Sequence, residues 1–115
     1  MFLRGPKEYT AGMEPISVHQ KREEAQGAWD FIVELGEESN LIGFLVHLDE
    51  AYWVALTGGK HSPENLVRKT FEFLLHKEDR NSVLREFDLR EVSAHFPDYE
   101  EEIRKKMHHS LQDSP

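Results

Sequence analysis

Residues 29–48 read Trp29-Asp30-Phe31-Ile32-Val33-Glu34-Leu35, then Gly36-Glu37-Glu38-Ser39-Asn40-Leu41, then Ile42-Gly43-Phe44-Leu45-Val46-His47-Leu48. The two flanking stretches are rich in β-branched and aromatic residues, and the linker between them is short and polar, which is hairpin chemistry. Alternation settles the register. With the linker closed over residues 36–41, Leu35 opposes Ile42, Val33 opposes Phe44, Phe31 opposes Val46 and Trp29 opposes Leu48. Every pair is apolar, so this face is the core. A slip of one residue would set Val33 against Gly43 and mix the two faces.

Working outward, Asp49-Glu50-Ala51 is a second short polar link, and Tyr52 to Thr57 (YWVALT) has strand composition again. The expected sheet is therefore a three-stranded antiparallel meander over 29–35, 42–48 and 52–57. Closing the second link pairs Leu48 with Tyr52, Val46 with Val54 and Phe44 with Leu56. The same register puts Ile32, Leu45 and Ala55 in one row on the outer face, with Asp30, His47 and Trp53 in the row beside it.

Before the hairpin, Gly5-Pro6, Gly12 and Pro15 interrupt any periodicity, and residues 1–12 are expected to be a flexible segment. Ile16 and Val18 alternate with Ser17 and His19, enough for a short edge strand. After the sheet, the signals turn helical. Ser62-Pro63-Glu64 combines a capping serine, a proline in the first turn and an early acid, opening a helix over 63–77. Further helices are expected over 82–87, over 89–96 behind the Asp88/Glu91 capping pattern, and over 98–109 with a stripe of Tyr99, Ile103 and Met107. Residues 111–115 form a tail. Segregated strands and helices make one α+β domain spanning 13–110.

Composition bounds the function. The 115 residues carry 14 Lys and Arg against 22 Asp and Glu, for a net charge of −8 with histidine neutral. The only dense cationic cluster, Arg104-Lys105-Lys106, follows Glu100-Glu101-Glu102 at ion-pair spacing on a helix. Nothing here suits a nucleic acid or an anionic membrane surface. Residues 82–96 outline a helix-turn-helix, but Glu91 on its second helix would repel a phosphate backbone. There is no cysteine, which removes disulfides and thiolate chemistry. With no apolar run long enough to span a bilayer and no leader pattern, the expected setting is the cytoplasm.

Four constellations carry chemistry worth weighing. Thr57-Gly58-Gly59-Lys60-His61-Ser62 joins the third expected strand to the long helix. Two glycines, a helix N-terminus, a lysine and a histidine are materials for a small anion. The spacing is not that of a P-loop, and a tight turn with a serine cap needs the same residues. Asp30 beside His47 could hold an imidazole in one tautomer, but no serine stands in a nucleophile-elbow context to complete a triad. The seven histidines lack the i,i+3 or i,i+4 pairs that chelate an ion, so no metal and no cofactor are expected. Asp49-Glu50 and Glu37-Glu38 read as solubilising acids in exposed turns.

A fifth constellation is the outer sheet face. Ile32, Leu45 and Ala55, with His47 and Trp53 beside them, form an apolar centre inside a polar margin, the pattern of an interface. The expected function is a small acidic interaction or regulatory module without enzymatic activity, self-associating as a homodimer or binding a protein partner. The alternative is a binder of small anionic ligands, or an enzyme acting on them, through Gly58–Ser62.

Overall fold

The computed structural model describes residues 15–25 and 27–112. The expected N-terminal segment 1–12 and the end of the tail lie outside these residues. The sheet has four strands in the order β1 (Ile16–Ala25), β2 (Ala28–Leu35), β3 (Ile42–Asp49) and β4 (Glu86–Asp88). Among the described residues four α-helices accompany it: α1 (Glu50–Thr57), α2 (Pro63–Lys77), α3 (Leu89–His95) and α4 (Tyr99–Gln112). The domain is α+β, and its sheet is mixed.

The central hairpin has the expected register. Leu35 pairs with Ile42, Val33 with Phe44, Phe31 with Val46 and Trp29 with Leu48. Phe31, Val33, Leu35, Val46 and Leu48 are all at most 1% exposed, so the core lies on the face that alternation selects.

The third antiparallel strand is not where the sequence placed it. Residues 52–57 are helical, and β1 supplies the strand instead, pairing antiparallel with β2 from Ile16–Leu35 to Ala25–Ala28. Caps decide the outcome at 50–57. The Asp49 carboxylate accepts from the Tyr52 amide at 2.8 Å, and Gly58, at φ 69°, donates its amide to Val54 at the other end. The burial also has a helical period: Tyr52 and Leu56 are buried while Val54 is 46% exposed. A strand would have buried Tyr52, Val54 and Leu56 together. The pairs Leu48–Tyr52, Val46–Val54 and Phe44–Leu56 therefore do not form.

The expected helix over 82–87 is likewise replaced, by a short 3₁₀ turn (Arg80–Ser82) and the strand β4. Val83 and Phe87 stand at i,i+4 and mimic a helical stripe, yet both reach the core from extended chain. Asp79 closes the turn by accepting from the Asn81 amide, and the Arg85 carbonyl then receives the Leu45 amide at 2.8 Å. β4 runs parallel to β3 because α1 and α2 carry the chain back across the sheet between them.

The remaining helices start on their expected signals. Ser62 accepts from Asn65 with Pro63 in the first turn, and Asp88 accepts from Arg90. α2 lays Leu66, Val67, Phe71 and Leu74 on the sheet, and α4 adds Tyr99, Ile103 and Met107. Tyr99 is fully buried, its hydroxyl 2.7 Å from Thr70 Oγ1 and its ring edge-on to Phe73. That burial pushes its phenol well above the ordinary value. Arg68 of α2 donates to the Ile16 carbonyl and ties β1 to the helix layer. No helix among the described residues is long and apolar enough to cross a membrane.

Gly36 and Gly58 are among the glycines that hold backbone other residues resist. Gly58 closes α1 with open space around the position of a Cβ. Gly36 stands at φ 100°, where a Cβ would lie 2.5 Å from the Asn40 carbonyl oxygen and 2.8 Å from Arg80. Its amide also donates to Pro15 at 3.1 Å, setting the start of β1. In urea unfolding, Gly58→Ala should cost about 1–2 kcal/mol, the left-handed penalty alone. Gly36→Ala should cost clearly more, because the clash with backbone adds to the same penalty. Equal losses would mean that the 36–40 turn yields freely.

Candidate functional site

The most organised polar cluster is built around the central register. β2 and β3 place Asp30 directly across from His47, and β4 brings Glu86 to the same imidazole. Nδ1 of His47 lies 2.6 Å from Asp30 Oδ1, and Nε2 lies 2.8 Å from Glu86 Oε2. Ionised carboxylates only accept, so both contacts are satisfied when the ring is protonated and both of its nitrogens donate. The hydrogen bond to Glu86 and then that to Asp30 raise the His47 pKa above its ordinary 6.5, against a smaller opposing effect of burial. Chemically, the cluster is a cation held between two anions, tying β4 to the sheet.

Trp53, expected in this row, is elsewhere. The conversion of 52–57 to helix moves it to α1, where its indole meets Trp29 edge-on at 5.6 Å and donates to the His61 carbonyl at 2.8 Å. Ala55 is on the exposed side of α1. Of the five residues expected to share the outer face, Ile32, Leu45 and His47 do so.

A second set of polar contacts begins at Asp49. Asp49, expected as a solubilising acid in an exposed turn, is half-buried, caps α1, and takes two hydrogen bonds from Arg90, at 2.8 Å from Nε and 3.0 Å from Nη2. Arg90 holds its carboxyl below the usual carboxylate range. The same guanidinium lies over the Tyr52 ring at 4.7 Å, and the Tyr52 hydroxyl donates to Glu100 at 2.8 Å. Burial and the neighbouring carboxylate raise the Tyr52 pKa. Between the two sets lies an open cavity of about 330 Å³, walled by Trp29, Asp30, His47, Asp49 and Asp88.

The turn Thr57–Ser62 joins helix to helix. Its backbone amides are engaged locally: Gly58 donates to Val54 of α1, Gly59 to Thr57 Oγ1 at 3.0 Å, and Lys60 to the Thr57 carbonyl. Thr57 Oγ1 donates back to Trp53, His61 accepts from the Trp53 indole, and Ser62 caps α2. Among the described residues, no group of three or more histidines and carboxylates is arranged to hold a metal ion.

One feature had no counterpart in the sequence reading. A groove of about 320 Å³ opens between the end of α2, the chain at 82–84, and α3. Leu74, Val83, Phe87 and Val92 form its floor, with Glu78 and Glu91 above them and Leu84 among the lining residues. Its parts come from three places in the chain, and only the long-range β3–β4 pairing assembles them. Comparison with protein-family models, with curated proteins and with solved structures finds no match.

The imidazolium predicts its own titration. With the folded pKa raised, the clamp contributes fully below pH 6.5 and is lost as pH rises through the raised value. The stability difference between the parent chain and His47→Gln should therefore be largest in mild acid and shrink towards alkaline pH. NMR titration of the ring nitrogens is the direct check, and a midpoint at or below 6.5 would remove the clamp.

Proposed function

We propose that this chain is a small, acidic, non-enzymatic interaction module that associates with a second copy of itself through the open face of its sheet. The observation that carries the reading is the cross-strand pair Ile32–Leu45 at the centre of that face. Both side chains stay partly exposed and stand outside the core cluster, while the helices bury their apolar residues on the opposite face. Glu34, His19 and the Asp30–His47–Glu86 cluster surround the pair. A solvated face would alternate to polar residues throughout, whereas an apolar centre with a polar margin suits contact with another protein surface.

The sheet edges favour the face over strand-to-strand association. β1 has register shifts between Gln20 and Arg22 and between Arg22 and Ala25, and its sequence there is Lys21-Arg22-Glu23-Glu24. Irregularities on an edge oppose pairing with another strand. At the other edge β4 has only 3 residues.

Leu45→Lys tests the proposal. Sedimentation should show the parent chain as a dimer and the variant as a folded monomer with unchanged far-ultraviolet circular dichroism. A parent chain that is monomeric at all concentrations, or a folded variant with unchanged mass, would refute self-association through this face.

A further inference from the structure

We infer that the groove beside α3 is a second docking site, separate from the sheet face, that receives a basic amphipathic helical segment of a partner protein. Its floor is a piece of core open to solvent on one side: Leu74, Val83, Phe87 and Val92 are buried to within 6% exposure, and Phe96 continues the wall. Leu84, at the lip, is 56% exposed. An isolated surface leucine needs no explanation, but one that extends an apolar floor adds to a binding surface. The volume of about 320 Å³ suits a few anchoring side chains on one face of a helix.

Charge selects the occupant. Glu78 ends α2 and Glu91 stands on α3, so two carboxylates reach the groove from two of the elements that form it. Neither side chain has a hydrogen bond or ion pair among the described residues. Acids nearby are engaged: Asp98 with Lys77 at 2.8 Å, Asp49 with Arg90, Glu72 of α2 with Lys69, and Asp79 and Asp88 as caps of the turns that follow them. Lys77, the cation closest along α2, is engaged by Asp98 and by the Phe73 ring. Two anions without a side-chain partner among the described residues, with His95 the one other titratable side chain lining the groove, match lysines or arginines flanking apolar anchors. The net charge of −8 draws such a segment in and turns acidic ones away.

The test uses the full chain and a synthetic peptide of about 15 residues, long enough to form a helix, with leucines at i,i+4 on one face and lysines elsewhere. A control peptide replaces the lysines with glutamates. Binding by fluorescence anisotropy should be seen for the lysine peptide and be absent for the control. NMR shifts should concentrate at Leu74, Val83, Leu84, Phe87 and Val92. The double variant Glu78→Gln/Glu91→Gln and, separately, Leu84→Ser should each weaken binding roughly tenfold, about 1.4 kcal/mol. Leu45→Lys should leave it unchanged, so failure here and failure of self-association read out separately. Shifts spread over Glu100–Glu102 instead, or full affinity in both groove variants, would reduce the effect to general attraction to an acidic chain and overturn the assignment. A parent dimer dissociated by Leu84→Ser would give the groove to a second copy and overturn it equally.

Discussion

The pairing of β2 with β3 is the constraint on which the rest of the domain depends. It sets eight consecutive cross-strand partners, from Ala28–Asp49 to Leu35–Ile42, and thereby sorts every residue of the hairpin to one face. Phe31, Val33, Phe44 and Val46 become the sheet's share of the core, with Phe71 of α2 edge-on to Phe44, while α4 packs against the helices. Asp30 and His47 are delivered to the other side at hydrogen-bonding distance. A displacement of one strand by one residue would turn its core set outward and its outer set inward; for β3 that would bury His47 and expose Phe44 and Val46. The cost of that exchange is why the register is so sharply specified.

This constraint was legible because it is local. Both strands and their linker lie within a short span, and alternation alone distinguishes the right pairing from its neighbours. The caps at Ser62 and Asp88 were legible for the same reason, since they act over three or four residues. What misled was composition used without periodicity. Tyr52, Trp53 and Val54 are strand-forming residues, but Asp49 and Gly58 bracket them at helical distance, and tertiary burial follows Tyr52 and Leu56. At 82–87 the error ran the other way: Val83 and Phe87 have helical spacing but occupy extended chain. Intrinsic preference gave way to tertiary context in both segments.

The functional surfaces divide along the same line. The meeting of Asp30 and His47 could be read from β2–β3 register, whereas Glu86 could not, because it arrives on a strand whose parallel pairing requires a long crossover. The Arg90–Asp49 contact joins residues far apart in sequence and leaves no local trace. The groove is the extreme case: its residues are unremarkable where they stand, two near the end of α2, others around β4 and on α3. Trp53 and Ala55 left the expected face only because their segment changed from strand to helix.

The brevity of β4 has a kinetic meaning. Its three residues are attached late in the chain, after α1 and α2, and their closure must recover the entropy of a long loop. The attachment is a ladder of three residue pairs, supplemented by Leu45 to the Arg85 carbonyl, Arg85 Nε to the Gly43 carbonyl at 2.7 Å, and the His47–Glu86 contact. Segments held this way open before the global transition, and amide exchange in β4 is expected to be faster than in the central hairpin. Phe87 faces the groove from this strand, while Glu86 reaches His47 on the opposite side of the sheet. Detachment of β4 would therefore alter both surfaces in a single local event.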